Sequence, residues 1–91
     1  MAERIRRRVV FYGSVQGVGF RYRAYYAARA NGVSGWIKNR PDGAVEAEFE
    51  GEERSIDEVI ISVERGTFVR IERMEAKTLP LHGDYGFEIV D

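Results

Sequence analysis

The chain has 91 residues, of which 44% are hydrophobic and 32% charged, and its formal net charge is −1. This length leaves room for one hydrophobic core, so residues 1–91 are expected to form a single domain, and the near-neutral charge excludes a whole-molecule field that would attract nucleic acid or anionic lipid. The absence of cysteine and the single histidine exclude a disulfide framework, a thiolate nucleophile and the usual zinc sites.

The expected location follows from the absence of targeting segments in the sequence. No apolar run approaches the roughly 20 residues of a membrane-spanning helix, and the N-terminus lacks the apolar stretch of a signal peptide. Together with the lack of cysteine, this predicts a cytoplasmic protein without membrane contacts. Arg4 and the Arg6–Arg8 run form one basic cluster, which could contact a phosphate backbone but is explained more simply as a solvated edge of the first strand.

The first part of the chain predicts a strand, a helix and a second strand. Val9–Tyr12 is a β-rich run that ends at Gly13. After a glycine-rich loop, apolar residues recur at helical spacing over Phe20–Ala28, and Asn31-Gly32 supplies a left-handed helix stop. The second strand is expected from Val33 to Asn39.

The middle of the chain predicts a hairpin turn, a third strand and a second helix. Residues 40–43 form a turn because Pro presets φ, Asp bonds back to the backbone and Gly tolerates a positive φ. Apolar residues alternate with glutamates from Val45 to Glu50, which is typical of a strand with one buried face and an ordinary wet face. Ser55 and Glu58 form a capping box for a helix that Gly66 ends.

Two further strands complete the predicted order. The apolar phase changes between Phe68 and Lys77, which predicts a bulge near Glu72, and residues 85–89 alternate as a closing strand. The order β-α-β-β-α-β with a short C-terminal fifth strand is that of a ferredoxin-like α+β sandwich, in which two helices cover one face of a mostly antiparallel sheet. The helical crossover makes the first two strands parallel, with the hairpin's return strand between them. The loop after the first strand and Asn39 should then share one sheet edge, about 10 Å apart.

The loop between the first strand and the first helix predicts a site for a phosphate-like anion. Glycines at 13, 17 and 19 allow successive N–H groups to turn inward as an anion nest, and the helix N-terminus adds partial positive charge. Arg21 can clamp two oxygens with its planar guanidinium. On geometry alone, a tight turn with a surface arginine is an equal alternative. The candidate phosphate-binding residues are Ser14, Val15, Gln16, Gly17, Val18, Gly19, Phe20 and Arg21.

Other glycine-rich motifs fit this loop less well. A Walker loop requires Gly-Lys-Ser/Thr, and a dinucleotide fingerprint requires a glycine where Tyr22 stands. Gly17, Gly19 and Phe20 match part of an RNA-recognition signature found on the same fold, so RNA binding stays an alternative, as does a non-catalytic regulatory module that binds a small anion. That signature needs aromatic residues on the third strand, which here carries glutamates.

Two motifs occur together, Gly-x-Val-Gln-Gly-Val-Gly-Phe-Arg at residues 13–21 and Gly-Trp-Ile-Lys-Asn-x-Pro-Asp-Gly at residues 35–43. This pair, with a similarity that runs essentially end to end, resembles the acylphosphatase family. The resemblance implies hydrolysis of acyl phosphates to a carboxylate and inorganic phosphate, with no metal or other cofactor and with phosphate as a competitive inhibitor. It also implies that Arg21 and the loop amides bind the phosphoryl group, while Asn39 holds the attacking water.

A few positions depart from the usual pattern of that family. Tyr25 and Tyr26 stand where members more often carry smaller or polar side chains, and the segment from Leu79 to Asp84 is short and unusual. A monomer is expected, with a dimer contact through Tyr22, Tyr25 and Tyr26 as the alternative to partial burial of these rings against the sheet. The lone His82 is expected to be solvated.

Overall fold

The computed structural model describes residues 3–90, and within them two helices and five strands follow one another in the predicted order. The elements are β1 (Arg4–Ser14), α1 (Phe20–Ala30), β2 (Ser34–Asn39), β3 (Val45–Glu52), α2 (Glu53–Glu64), β4 (Arg70–Leu79) and β5 (Phe87–Ile89). The predicted ferredoxin-like α+β sandwich with a short fifth strand is confirmed. Neither helix, within this described part of the chain, is long and apolar enough to cross a membrane.

The sheet brings the ends of β1 and β2 to the same edge. Its strand order is β4-β1-β3-β2-β5, in which β3 is antiparallel to both β1 and β2. Strands β1 and β2 are therefore parallel, as the helical crossover predicts. Strand β2 is also paired in parallel with β5. The loop that follows β1 and Asn39 at the end of β2 consequently lie at one edge of the sheet.

The helices pack on one face of this sheet and form the core with it. Helix α1 buries Phe20, Ala24 and Ala28, and α2 buries Ile56, Val59 and Val63. The rings of Phe20 and Phe11 meet edge to face with their centroids 4.9 Å apart. Burial of each large apolar side chain contributes about 1.5–3 kcal/mol, so the buried ring of Phe20 holds the N-terminus of α1 firmly against the sheet. The buried hydrophobic side chains of the sheet include Val9, Phe11, Ile37, Val45, Ala47, Phe49 and Phe87.

The basic cluster at the start of β1 is not a solvated edge, which corrects the expectation from the sequence. Strand β1 begins at Arg4 and lies inside the sheet, between β4 and β3. The register pairs Arg6 with Glu50, and the Arg6 residue is only 3% exposed. Its guanidinium donates to Glu48 at 2.7 Å, to Glu50 at 3.1 Å and to Asp84 at 2.9 Å.

The glutamates of β3 are likewise not an ordinary wet face. Glu50 is 3% exposed, and Glu46 accepts hydrogen bonds of 2.9 and 2.6 Å from Arg8. Cross-strand neighbours on the same face interact, so arginines of β1 and glutamates of β3 form a ladder once the two strands pair. Arg7 points to the other face, where it donates to Glu53 and Asp57 of α2. The ladder of Arg6 and Arg8 with the glutamates of β3 thus covers the sheet face that the helices leave open.

Helix α2 starts earlier than its predicted capping box. It follows β3 without an intervening residue, its N-cap is Glu52, and no side chain caps it. Ser55 therefore lies within the first turn, and the Ser55–Glu58 prediction of the helix start is wrong. Helix α1 ends as predicted, because Asn31 is its C-cap and Gly32 has a φ of 66°.

The predicted bulge and closing strand are both present, the latter in a shorter form. The register between β1 and β4 shifts between Tyr12 and Gly13, which pair with Arg73 and Ile71, so Glu72 is the extra residue. Strand β5 begins only at Phe87. Gly86 has a φ of 72°, which breaks the extended conformation before the strand, and Tyr85 is almost fully exposed.

Candidate phosphoryl-transfer site

Both ends of the loop from residue 15 to residue 19 are anchored in the core. Val15 follows β1 and is buried, and Phe20 is the buried first residue of α1. Gly17 and Gly19 between them are exposed, while Val18 packs partly against the core. The loop therefore presents its backbone to solvent and holds its apolar side chains inward.

The φ angles of this loop alternate in sign, as they do in an anion nest. Gly17 and Gly19 have φ values of 72° and 76°, and Val18 between them has a negative φ. Alternation of left- and right-handed residues turns successive N–H groups towards one point. An alanine at Gly17 or Gly19 would meet no atom within 4 Å, so the conformation, rather than a lack of space, requires glycine there.

The N-terminus of α1 adds further donors beside the nest. Gly19 is the N-cap and no side chain caps the helix, whose first turn contains no acidic residue. The first intrahelical bond runs from the Arg23 amide to the Gly19 carbonyl at 3.0 Å. The amides of Phe20, Arg21 and Tyr22 therefore have no intrahelical acceptor, and such a terminus attracts anions.

Gln16 ties the loop to the turn that follows β2. Its Nε2 donates to the carbonyl oxygens of Arg40 at 2.8 Å and Ala44 at 2.9 Å. The predicted turn has formed, with Asp42 Oδ1 accepting a 3.0 Å hydrogen bond from the Ala44 amide. Since Arg40 directly follows Asn39, Gln16 sets the position of the loop relative to Asn39.

One cavity brings Arg21 and Asn39 together at this edge of the sheet. Its lining residues are Val15, Gly17, Gly19, Phe20, Arg21, Tyr22 and Asn39. Of the predicted phosphate-binding residues, Ser14, Gln16 and Val18 do not line it. Ser14 ends β1, and the Gln16 side chain is engaged with the turn. Tyr22 lines the cavity although the sequence did not predict it as a site residue. Its position directly after Arg21, at the start of the helix, is the feature of the sequence that could have identified it as a site residue.

Asn39, which lines this cavity, carries an unusual polar atom. Its Oδ1 is buried and has no hydrogen-bond partner among residues 3–90. A buried acceptor without a partner costs about 1–3 kcal/mol, so this atom calls for a hydrogen-bond donor beyond the described residues. A water molecule could supply that donor.

Among the described residues, the cavity lacks the carboxylate and imidazole side chains that most often hold a metal ion. In the part of the chain that the structure describes, no group of three or more His, Asp or Glu side chains is arranged to hold a metal. The lining residues within 3–90 include Asn39 as their one amide and Arg21 as their one ionic side chain. The charged side chain among these lining residues is the Arg21 guanidinium, and a cation beside the uncapped amides of α1 suits an anion.

Comparison with known proteins gives consistent matches over nearly the whole chain. A family model described as "Acylphosphatase" matches residues 7–89. A protein named "Acylphosphatase" from Anaeromyxobacter dehalogenans (strain 2CP-C) is 43% identical over 91 residues, which cover 98% of each chain. Its namesake from Thermococcus kodakarensis is 40% identical over 89 residues, 97% of this chain and 98% of the relative. The crystal structure of acylphosphatase from Bacillus subtilis matches with a TM-score of 0.88 and 35% identity, over 96% of this chain and 99% of that one.

Proposed function

The chain belongs to the acylphosphatase family and hydrolyses acyl phosphates to a carboxylate and inorganic phosphate, and we propose how its own residues carry out this reaction. Loop amides and the Arg21 guanidinium bind the phosphoryl oxygens, and Asn39 orients the attacking water. Neither a metal ion nor a covalent phosphoenzyme takes part. The observation that carries the proposal is the cavity that Arg21 and Asn39 both line, together with the buried Oδ1 of Asn39, which has no hydrogen-bond partner among residues 3–90.

The leaving group explains why so few functional side chains suffice. An acyl phosphate is a mixed carboxylic-phosphoric anhydride, so its leaving group is a stable carboxylate that needs little protonation. The water oxygen forms the new bond to phosphorus, and the bond to the acyl oxygen breaks with its electron pair on the carboxylate. The proton of the water passes to a phosphoryl oxygen. No step requires a histidine or carboxylate, in agreement with the lining of the cavity.

Electrostatic stabilisation supplies most of the proposed rate enhancement. In a loose phosphoryl-transfer transition state, negative charge is spread over the three equatorial oxygens. In this proposal the N–H donors that bind these oxygens come from residues 17–19, from the N-terminus of α1 and from the guanidinium of Arg21; Gly17, Gly19 and Arg21 line the cavity. Preorganised donors of this kind stabilise developing charge without reorganising during the reaction.

Asn39 acts by orientation in this proposal. A neutral amide is not an effective general base, but its Oδ1 can accept a hydrogen bond from a water molecule and hold it in line with the bond that breaks. In this proposal the Asn39 amide turns its Oδ1, which has no partner among residues 3–90, towards the cavity, and the nucleophile supplies the missing hydrogen bond. The same atom thus explains both an otherwise costly burial and the placement of the water.

The remaining partners follow from the same site. The family assignment replaces the non-catalytic anion-binding module and the RNA-binding module as explanations of the loop. We propose that inorganic phosphate, the product, competes with substrate because it presents the same oxygens. The protein acts as a cytoplasmic monomer, with residues 1–91 as one domain.

Hydrolysis of benzoyl phosphate with a chelator present, and with inorganic phosphate as competitor, tests the proposal. Activity should survive chelation, and phosphate should raise the apparent KM and leave kcat unchanged. Loss of activity on chelation, or phosphate inhibition that lowers kcat alone, contradicts the proposed site.

Two substitutions test the roles of the side chains in the same assay. Arg21→Lys should lower kcat/KM by about 100- to 1,000-fold, because a point charge cannot replace the planar fork of the guanidinium. Asn39→Ala should lower kcat much more than it weakens the binding of phosphate, since it removes the orientation of the water. A folded Asn39→Ala protein with full activity would show that Asn39 serves only the turn.

A further inference from the structure

The lining of the cavity leaves one side chain without a role in the proposed mechanism. Val15 and Phe20 are buried in the core, and Gly17 and Gly19 have no side chains. The proposed function assigns the phosphoryl group to Arg21 and the water to Asn39. Tyr22 remains, and it is 61% exposed. A large, exposed aromatic ring at the edge of a reaction site is available to whatever part of the substrate extends from the phosphoryl group.

The position of Tyr22 on α1 places its ring close to the proposed reaction site. It is the third residue of α1, and side chains on a helix lean towards the helix N-terminus. The Tyr22 ring therefore leans towards the helix end where the uncapped amides and Gly19 lie. Tyr26, one turn further along, is 67% exposed but does not line the cavity. Its ring packs edge to face on Tyr25, with the centroids 5.3 Å apart.

We propose that Tyr22 contacts the acyl group of the substrate and makes the enzyme favour acyl phosphates with an aromatic or similarly planar apolar acyl group over short-chain ones. This inference rests on the proposed function. With the phosphoryl group in the nest, the acyl group must lie towards the open side of the cavity, because the Val15 and Phe20 side chains close the inner side. Tyr22 is the aromatic side chain that the substrate meets there.

The contact is expected to act on selectivity rather than on the chemical step. The ring touches the part of the substrate away from phosphorus, so its contribution is similar in the ground state and the transition state and appears mainly in KM. A stacked or edge-to-face aromatic pair changes affinity by about three- to tenfold. A methyl acyl group is too small to gain this contact.

A substrate comparison in matched variants tests the inference. We would measure kcat/KM for benzoyl phosphate and for acetyl phosphate in the wild type, Tyr22→Ala, Tyr22→Phe and Tyr26→Ala. The ratio of the two values should fall about three- to tenfold in Tyr22→Ala, mainly through the KM for benzoyl phosphate. It should be kept in Tyr22→Phe, which retains the ring, and in the control Tyr26→Ala, which removes an equally exposed tyrosine outside the cavity.

The outcomes separate this inference from the function on which it rests. If the wild type cleaves both substrates but the ratio of the two kcat/KM values is unchanged in Tyr22→Ala, Tyr22 does not select for the acyl group. The same conclusion follows if Tyr22→Ala loses both activities equally. The inference also fails if Tyr26→Ala lowers the ratio as much as Tyr22→Ala. If the wild type cleaves neither substrate, the proposed function itself fails. The inhibition constant of inorganic phosphate in each variant reports whether the phosphoryl site is intact.

Discussion

At the residue scale, the position of the loop relative to Asn39 depends on the side chain of Gln16. The sequence predicts that the loop containing Gln16 binds phosphate through its backbone amides. The side-chain amide of Gln16 has a different task, because it donates to the carbonyl oxygens of Arg40 and Ala44. Each such hydrogen bond contributes about 1 kcal/mol. Their larger effect is geometric, because they join the loop that binds the phosphoryl group to the turn next to the residue that orients the water.

Replacing Gln16 should therefore impair catalysis through position. In Gln16→Glu a carboxylate would face two carbonyl oxygens, and the resulting repulsion should displace the loop. A displacement of about 1 Å can lower the rate about 100-fold. Steady-state kinetics and the inhibition constant of phosphate, measured well below the melting temperature, should show a lower kcat and weaker phosphate binding.

The matched control for Gln16 is Asp42→Ala. This change removes the 3.0 Å hydrogen bond to the Ala44 amide and the 3.0 Å ion pair with the Arg40 side chain in the same turn, but it keeps the Gln16 side chain and the two carbonyl oxygens to which it donates. It should lower the melting temperature with little effect on phosphate inhibition. Equal effects of the two variants on phosphate inhibition would show that Gln16 only stabilises the turn.

At the element scale, two glycines allow the strands that carry the site to approach their neighbours. A Cβ at Gly35, near the start of β2, would lie 1.9 Å from the Glu48 carbonyl oxygen, and a Cβ at Gly13 in β1 would lie 2.2 Å from that of Arg70. Both residues also have φ values near 130°, which L side chains rarely adopt. Gly13 sits beside the bulge at Glu72, where β1 bends before the loop. Close backbone approach therefore shapes both strands that end at the cavity.

Alanine at Gly35 should destabilise the fold strongly. The substitution combines backbone strain with a clash against backbone atoms that cannot move aside, and we expect the free energy of unfolding to fall by at least about 2 kcal/mol. The control is Gly32→Ala, where φ is 66° but no atom lies within 4 Å of the added Cβ. It should cost only about 1–2 kcal/mol for the left-handed conformation. Urea unfolding of both variants measures the difference, and a smaller loss in Gly35→Ala than in Gly32→Ala would contradict the argument.

At the scale of the whole molecule, residues 80–86 form a segment that joins the two outermost strands, which we term the crossing segment. Strands β4 and β5 are the first and last strands in the sheet order, so this segment must span four strand spacings, roughly 19 Å. Glu50 of β3 holds it midway, since its carboxylate accepts hydrogen bonds from the amides of His82 at 2.7 Å and Gly83 at 3.0 Å. The His82 ring is exposed as predicted, but it is also paired with Asp84.

The crossing segment depends on two carboxylates that must stay ionised. Burial raises the pKa of Glu50, but hydrogen bonds from the His82 amide, the Arg6 guanidinium and the Gly83 amide outweigh it and hold this pKa below its ordinary value. Burial also raises the pKa of Asp84, and hydrogen bonds from His82 and Arg6 again lower it overall. Since Arg6 bonds both carboxylates, β1, β3 and the crossing segment meet in one charged cluster.

Acid should therefore weaken the fold through this cluster. A carboxylate with a lowered pKa in the folded state stabilises the protein above its unfolded pKa, and this contribution is lost as the pH falls through the folded value. The free energy of unfolding should decline below about pH 4. In Glu50→Gln the decline should be shallower, whereas in Glu58→Gln, an exposed change on α2, it should match the wild type. Urea unfolding between neutral and acidic pH tests this, and an unaltered acid decline in Glu50→Gln contradicts it.

The sequence by itself determined the order of the elements and the edge at which the site lies. Hydrophobic periodicity identifies each helix and strand, and the fixed handedness of a helical crossover makes β1 and β2 parallel. Those two facts bring Arg21 and Asn39 to one edge of the sheet, and the structure places both in one cavity. The bulge at Glu72 was predictable too, because an extra residue changes the phase of the apolar pattern.

Only the tertiary structure decided which distant side chains meet. The sequence pattern predicts that Arg6 and Glu50 are solvated charges, but the pairing of β1 with β3 makes them buried neighbours. The side chain of Gln16 finds its two acceptors only when the turn brings the carbonyl oxygens of Arg40 and Ala44 within reach. Tyr22 lines the cavity only because α1 starts there. Local periodicity records which face of an element is buried. The partner of a polar group depends on strand register and on contacts between segments far apart in the chain, which no local pattern contains.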